Sequence, residues 1–229
     1  MPTVEVRALG KVYHAPYGEI TAVAGVSVEI APGKAVLIRG PSGSGKSTLL
    51  NMIGLLTRPS AGTVLMDGRE VSHLPDHFMS GVRRTTIGFI FQQFNLLAGY
   101  SAVDNVAMPL VPAGIREAER RKRAASLLGE LGLGDRADFP VNHLSAGEQQ
   151  RVAICRALIN DPPLILADEP DANLDDESAA TVVAVLGGLK RAGRTLLIAS
   201  HSPRWARSDL VDDVIEMRGG RLCASEGRA

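Results

Sequence analysis

The stretch Gly40-Pro41-Ser42-Gly43-Ser44-Gly45-Lys46-Ser47-Thr48 decides the fold of this chain. The apolar run at 35–38 precedes it, and Thr48-Leu49-Leu50-Asn51-Met52-Ile53 continues from it. The pattern therefore predicts a phosphate-binding loop between a buried strand and a helix. The three glycines allow successive backbone N–H groups to turn toward an anion. Lys46 is predicted to reach the β- and γ-phosphates, and the Ser47 hydroxyl to hold Mg²⁺.

The composition limits the partners and the compartment. The 229 residues suffice for one large domain with a sizeable core. The 25 basic and 25 acidic residues cancel, so no general field draws the chain to nucleic acid, and we expect no nucleic-acid partner. The two cysteines are too few for a disulfide framework and indicate a reducing compartment. No apolar run approaches the ~20 residues that span a bilayer, so we expect membrane attachment through another chain.

The N-terminal part is predicted to form half-buried antiparallel strands. Apolar and polar residues alternate over 4–8 and again over 26–30, with the even-numbered positions facing inward. Turns at Pro32-Gly33 and Asp67-Gly68 favour hairpins. Tyr13 falls between the two strands, where its ring either stacks on a base or packs against the protein.

Two adjacent acids follow an apolar run at 164–167 that is predicted to be a buried strand. This run delivers Asp168 and Glu169 at its carboxyl end. Each carboxylate would be costly to bury without a cation or a donor. A Mg²⁺·ATP site would use both acids, since one holds the metal and the other orients a water.

Gln92 and His201 end two further apolar runs, at 86–91 and 195–199. The first run is nearly continuous, which predicts a strand buried on both faces. Open α/β sheets place ligand-binding groups at the carboxyl ends of such strands. For His201, a structural histidine and a catalytic one remain equal alternatives at this point.

The composition changes between 95 and 160 to Ala, Leu, Glu and Arg, which predicts a helical subdomain. Ser145 and Glu148 have the spacing of a capping box and predict a helix that runs through Leu158. The N-terminus of this helix is able to hold a phosphate, with an ordinary capped helix as the alternative. The charged run 116–123 fits a solvated helix face.

These pieces, in this order, resemble the ATP-binding cassette of ABC transporters over almost the entire chain. The resemblance implies that the cofactors are ATP and Mg²⁺, and that catalysis uses Glu169, His201 and Gln92. It implies that Mg²⁺ is held by Ser47, Gln92 and Asp168. It also implies that ATP is held by Tyr13, the loop 40–48, Ser145, Gly147 and Glu148.

The resemblance further implies a P-loop NTPase (RecA-like) core of α/β class with an antiparallel β subdomain and an α-helical signature subdomain. The single domain 1–229 is then divided into a core with its β subdomain, 1–94 and 161–229, and a helical part, 95–160. The implied partners are a transmembrane permease and a second copy of the chain, with two ATP molecules sandwiched head to tail. The implied location is peripheral, on the cytoplasmic side of the cell membrane.

Within the family, the motifs look most like the subgroup of MacB and LolD, which act in macrolide export or lipoprotein release. Two motifs depart from the family pattern. Ala146 stands where a glycine is usual, and Asp171-Ala172 stands where Thr-Gly is usual. We expect activity, with Asp171 adding a negative charge close to Glu169.

Other members of the superfamily fit less well. A chromosome-maintenance or repair ATPase inserts a long coiled coil, and the interval from Ser47 to Leu144 has no sustained heptads. A translation-associated factor normally joins two cassettes. An importer ATPase and a regulatory switch acting on a membrane partner in cell division remain alternatives. The transported substrate is not encoded in this chain.

Overall fold

The computed structural model describes residues 2–223. Its strands are β1 (Val4–Ala15), β2 (Gly18–Ile30), β3 (Ala35–Arg39), β4 (Ala61–Met66), β5 (Arg69–Glu70), β6 (Ile87–Ile90), β7 (Leu164–Asp168), β8 (Thr195–Ser200), β9 (Asp213–Arg218) and β10 (Arg221–Leu222). Its α-helices are α1 (Lys46–Ile53), α2 (Asp76–Thr86), α3 (Ala102–Ala107), α4 (Glu117–Glu130), α5 (Ala146–Leu158), α6 (Asp176–Arg191) and α7 (Pro203–Ala206).

The larger sheet positions the site. Its strand order is β10-β9-β3-β8-β7-β6, and all neighbours except β10 and β9 are parallel. Strands β7 and β8 are buried along their whole length, as is β3 up to its last residue, because helices or the smaller sheet cover both faces. Parallel neighbours end at the same edge, so the loops after β3, β6, β7 and β8 lie along one edge of this sheet.

The smaller sheet has the order β2-β1-β4-β5 and is antiparallel, as predicted. Asp67-Gly68 forms the expected hairpin between β4 and β5. The hairpin expected at Pro32-Gly33 is wrong, because this turn joins strands of two different sheets. The placement of Tyr13 between strands is also wrong: it lies within β1, opposite Ile20 of β2. Both strands run longer than the alternation indicated.

A bulge interrupts β1 where the sequence predicted regular alternation. Val4 and Val6 face the core as expected, but Ala8 is exposed and has φ 46°, and Leu9 is buried instead. The pairing with β2 shifts between Val6 and Leu9. An extra residue in a strand reverses which later positions face inward.

Two features of the segment 76–91 differ from the prediction. Strand β6 is an edge strand, so Ile87 and Phe89 are only half-buried, and the expectation of burial on both faces is wrong for them. Helix α2, which precedes β6, was not predicted from the sequence. Only Met79 of this helix is buried, so the helix covers little of the core.

The segment between β6 and β7 is helical and has its own apolar core. Helices α3, α4 and α5 contribute to it, with Val106, Leu128, Val152 and Cys155 among its fully buried members. Helix α5 also packs on the large sheet through Ile154 and other residues. It is thus shared by two cores. Among the described helices, none is both long and apolar enough to cross a membrane.

We expect Leu128→Ala to lower the free energy of unfolding by about 2–5 kcal/mol, because it opens a cavity in the core of the helical segment. Urea unfolding monitored by circular dichroism measures this. Leu56→Ala is the matched control, since Leu56 is 46% exposed. Equal losses in the two variants would contradict a separate packed core in this segment.

Candidate nucleotide site

The loop 40–45 between β3 and α1 has the backbone of an anion-binding turn. Gly45 is the N-cap of α1 with φ 100°, and a Cβ there would lie 2.3 Å from the carbonyl oxygen of Ala22. Only glycine fits such a position. The N-terminal N–H groups of α1 therefore open toward the loop, as a phosphate requires.

Lys46 provides the cation of the loop. Its side chain is buried, and its Nζ donates to the carbonyl oxygens of Gly40 at 2.9 Å and Pro41 at 3.1 Å. Ser44 Oγ is also buried and has no hydrogen-bond partner among the described residues. Buried polar groups normally have partners, so this unpaired hydroxyl supports a ligand in the loop.

Glu169 lies at the centre of the predicted catalytic group. It is only 7% exposed. Its Oε1 lies 3.7 Å from Lys46 Nζ and 2.7 Å from Nδ1 of His201, whose ring nitrogen donates. Its Oε2 accepts from Ser200 Oγ at 2.9 Å. The backbone of Glu169 has φ 45°, and such a left-handed conformation in a non-glycine residue is typical of functional sites.

Asp168 pairs with the hydroxyl of the loop. Ser47 Oγ donates to Asp168 Oδ1 at 2.9 Å. Burial raises the pKa of the Asp168 carboxyl, and the Ser47 hydrogen bond opposes this rise without cancelling it. Ser47 at the start of α1 and Asp168 at the end of β7 are therefore brought together, and the protein compensates the charge of Asp168 incompletely.

The predicted capping box at the start of α5 is confirmed. Ser145 Oγ accepts from the Glu148 backbone at 3.3 Å, and Glu148 Oε2 accepts from the Ser145 N–H at 2.8 Å. That N–H also holds the pKa of Glu148 below its usual range. Gly147 contacts α6 so closely that a Cβ would lie 2.3 Å from Ser178 Oγ. Its smallness thus serves packing within the chain.

The remaining predicted residues lie outside the buried group formed by Lys46, Asp168 and Glu169. Tyr13 is 41% exposed, and Lys11 Nζ lies 5.1 Å from its ring centroid. Gln92 is exposed on the loop after β6 and lines a cavity together with Ala146 and Gln149. Within residues 2–223, no hydrogen bond or ion pair joins 145–148 to the loop 40–48.

Two residues at the site were not predicted from the sequence. Ser200 is one of them, although a hydroxyl residue directly before His201 at the end of a strand is a usable signal. Gln150 of α5 is buried and donates through Nε2 to the carbonyl of Pro170 at 2.5 Å. Nothing in its spacing indicated that contact, because the two residues come from separate elements.

This chain is similar to proteins of one known family. A family model described as "ABC transporter" matches residues 23–172. An ABC transporter ATP-binding protein of Thermotoga maritima is 44% identical over 95% of this chain and 92% of its own. The lipoprotein-releasing ATP-binding protein LolD of Hyphomonas neptunium is 41% identical, with 96% of each chain covered.

A relative of different length and a solved structure extend the comparison. The macrolide export ATP-binding/permease protein MacB of Hyphomonas neptunium is 43% identical over 99% of this chain, which spans only 35% of that protein. A dimeric, post-hydrolysis structure of the ATP-binding cassette MJ0796 with ADP and Pi has a TM-score of 0.91 at 38% identity, covering 99% of both chains. The predicted P-loop NTPase fold and ATP-binding cassette are therefore confirmed: this chain belongs to the ABC transporter family.

Proposed function

We propose that this chain is the ATP-hydrolysing motor subunit of an ABC transporter of the MacB/LolD type. It works with a separate transmembrane permease from the cytoplasmic side of the cell membrane, in export or in extraction of lipoproteins or lipids. One observation carries the proposal: a buried lysine of the phosphate-binding loop and a buried glutamate, Lys46 and Glu169, lie 3.7 Å apart at one sheet edge. The site thus places a cation that binds phosphate next to a base that accepts a proton from water.

ATP binding is assigned to the loop 40–48. The phosphates of ATP accept hydrogen bonds from the N-terminal N–H groups of α1 and from the ammonium of Lys46. In the structure this ammonium donates to loop carbonyls. Ser44 Oγ supplies a further donor, since it is buried without a partner in the described part of the chain. The adenine is assigned to Tyr13, whose ring is exposed on the hairpin of β1 and β2.

The oxygen donors beside the loop fit Mg²⁺. Ser47 Oγ and Asp168 Oδ1 are 2.9 Å apart, and residues 2–223 contain no group of three or more His, Cys, Asp or Glu side chains able to form a metal site of its own. Mg²⁺ usually takes one or two protein ligands and completes its octahedron with water and substrate phosphates. Ser47, Asp168 and Gln92 are the proposed ligands. When bound, the ion neutralises charge on the β- and γ-phosphate oxygens.

Glu169 is the proposed base for the attacking water. A carboxylate in this role must be fixed within hydrogen-bond reach of the water. Ser200 and His201 orient it, since they hold its two oxygens at 2.9 Å and 2.7 Å. The strongly buried position of Glu169 keeps bulk water from competing for it.

A second copy of the chain completes the site. Ser145 and Ala146 are exposed at the start of α5, and no bond joins them to the loop 40–48 of the same chain within the described residues. In a two-fold dimer, each α5 N-terminus meets the γ-phosphate held by the other loop. The similar cassette MJ0796 is dimeric in its post-hydrolysis structure, which supports this arrangement.

The permease contact is assigned to the helical subdomain, residues 95–160. This segment has its own core and is linked to the ATP site by the loop that carries Gln92. LolD and MacB, to which the chain is similar, are named for lipoprotein release and macrolide export. The cargo of this chain is selected by the permease.

Lys46→Ala should weaken ATP binding about 10- to 100-fold, because one or more hydrogen bonds from a charged donor to the phosphates are lost. Isothermal titration calorimetry with ATP measures the affinity directly. Lys122→Ala, a change of an exposed lysine on α4, serves as the control. ATP affinity within twofold of the unchanged protein would contradict the proposed role of the loop.

Asp168→Asn should stabilise the protein without nucleotide yet remove its response to Mg²⁺·ATP. Because burial raises the pKa of Asp168, the folded state binds its proton more tightly than the unfolded chain does, so the charged form costs stability at pH 7. That cost declines as the pH falls through the raised pKa toward the ordinary one. We expect the melting temperature to rise at pH 7, and to rise by less at lower pH.

Differential scanning fluorimetry with and without Mg²⁺·ATP measures both effects of Asp168→Asn. The unchanged protein should gain stability with ligand, about 2.7 kcal/mol at a hundredfold excess over Kd. The Asp168→Asn protein should lose most of that gain. Asp135→Asn, at an exposed site, is the control. A full ligand-induced gain in Asp168→Asn would remove Asp168 from the proposed metal site.

Glu169→Gln should bind Mg²⁺·ATP, lower turnover about 10²- to 10⁴-fold by loss of the base, and accumulate as a dimer. Light scattering with ATP should then give twice the 24.2 kDa of one chain. Adding Ser145→Arg should restore the monomer by steric clash, whereas Ser126→Arg on the exposed face of α4 should not. A Glu169→Gln protein that stays monomeric at saturating ATP would count against a self-assembling sandwich.

A further inference from the structure

The loop after Glu169 contains Asp171 in place of the usual family residue, and the structure gives this carboxylate a specific partner. Trp205 Nε1 donates to Asp171 Oδ1 at 2.7 Å. Trp205 is the single tryptophan of the sequence and is fully buried. Asp171 thus has a hydrogen-bond partner on another loop, and the expectation that it adds a negative charge close to Glu169 stays a prediction.

We propose that the Asp171–Trp205 hydrogen bond is a positioning contact for catalysis, which holds the segment after His201 against the loop after Glu169 and so keeps the two catalytic side chains in contact. The inference rests on the proposed roles of Glu169 and His201. We assign neither Asp171 nor Trp205 a contact with the reacting atoms. Both act through the residues that they place.

Sequence position explains why this contact is effective. Asp171 is two residues after Glu169, and Trp205 is four residues after His201, on the single turn α7. The His201 side chain is 65% exposed, and its contact with Glu169 at 2.7 Å is not enclosed by packing. The placement of the His201 ring therefore depends on the position of the His201 backbone. That backbone leads directly into α7, which the buried indole anchors.

The burial of the indole makes the hydrogen bond costly to lose. Trp205 packs in the core beneath the large sheet with Leu210 and Val211. A buried indole N–H needs an acceptor, and a bond to a carboxylate is stronger than a neutral one. Asp171 is half-buried. Removing it leaves the buried indole N–H without its acceptor.

A neighbouring ion pair joins the same elements without this burial. Arg204 of α7 lies 2.6 Å from Asp176 at the start of α6, and the Asp176 side chain is 99% exposed. Exposed ion pairs contribute little to stability. This pair therefore provides a matched control, since it connects nearly the same two segments by a solvated contact.

Steady-state ATP hydrolysis by the full chain tests the inference. Trp205→Phe keeps a buried ring and removes the donor, and we expect kcat to fall about tenfold while KM for ATP changes less than about threefold. Asp171→Ala should do the same. Asp171→Asn keeps an acceptor and should recover most of kcat. Arg204→Gln should leave kcat close to that of the unchanged protein.

The two single changes should not add. If one hydrogen bond is responsible, Asp171→Ala combined with Trp205→Phe should lower kcat no further than either change alone. Wild-type kcat in folded Trp205→Phe or Asp171→Ala protein would overturn the inference, as would a KM rise that accounts for the whole loss. Should Trp205→Phe not fold, Asp171→Ala and its rescue by Asp171→Asn decide the question.

The same series separates this inference from the proposed function. Glu169→Gln reports on the catalytic role itself, so unchanged turnover in that variant would reject the proposed base. Loss of turnover in Glu169→Gln together with unchanged kcat in the Trp205 and Asp171 variants would reject only the positioning contact. Fluorescence of Trp205, the single tryptophan, should change in Asp171→Ala, which verifies that the contact was broken.

Discussion

The site depends on the parallel register of β3, β7 and β8. These neighbouring strands run in one direction, so their carboxyl ends meet at one edge while their apolar bodies are covered on both faces. Lys46 and Glu169, which are far apart in sequence, therefore lie 3.7 Å from each other. A buried charge without a partner is costly. Each of these residues is tolerated in the interior because the register supplies the other.

Helix α5 connects the loop after Glu169 with the helical segment. It belongs to two apolar cores and makes a bond to a loop on each side. Gln150 donates to the carbonyl of Pro170, directly after Glu169. Arg156 donates to the carbonyl of Phe94, close to Gln92. A rotation of α5 must therefore move these two loops or break their hydrogen bonds, which links the proposed permease-contacting segment to the proposed catalytic residues.

Local patterns were predicted well, and patterns that depend on distant partners were not. The capping box of Ser145 and Glu148 needs only neighbouring residues, and it was found as predicted. The prediction that Ala8 faces inward was wrong, because a bulge depends on how two strands pair. The prediction that β6 is buried on both faces failed because a sequence does not indicate which strand lies at the edge. Helix α2 was missed because it buries only Met79 and its sequence includes Ser80, Gly81 and two threonines, which have low helix propensity.

The sequence by itself determined the strand, loop and helix around Lys46, and the acids and histidine at the strand ends. These features follow from local spacing and from the chemistry of each residue type. Only the tertiary structure decided that Ser200 and His201 hold Glu169, and that Asp171 accepts from Trp205. Such contacts join separate loops. Their geometry is fixed by packing of the sheet and helices beneath them, which sequence spacing does not contain.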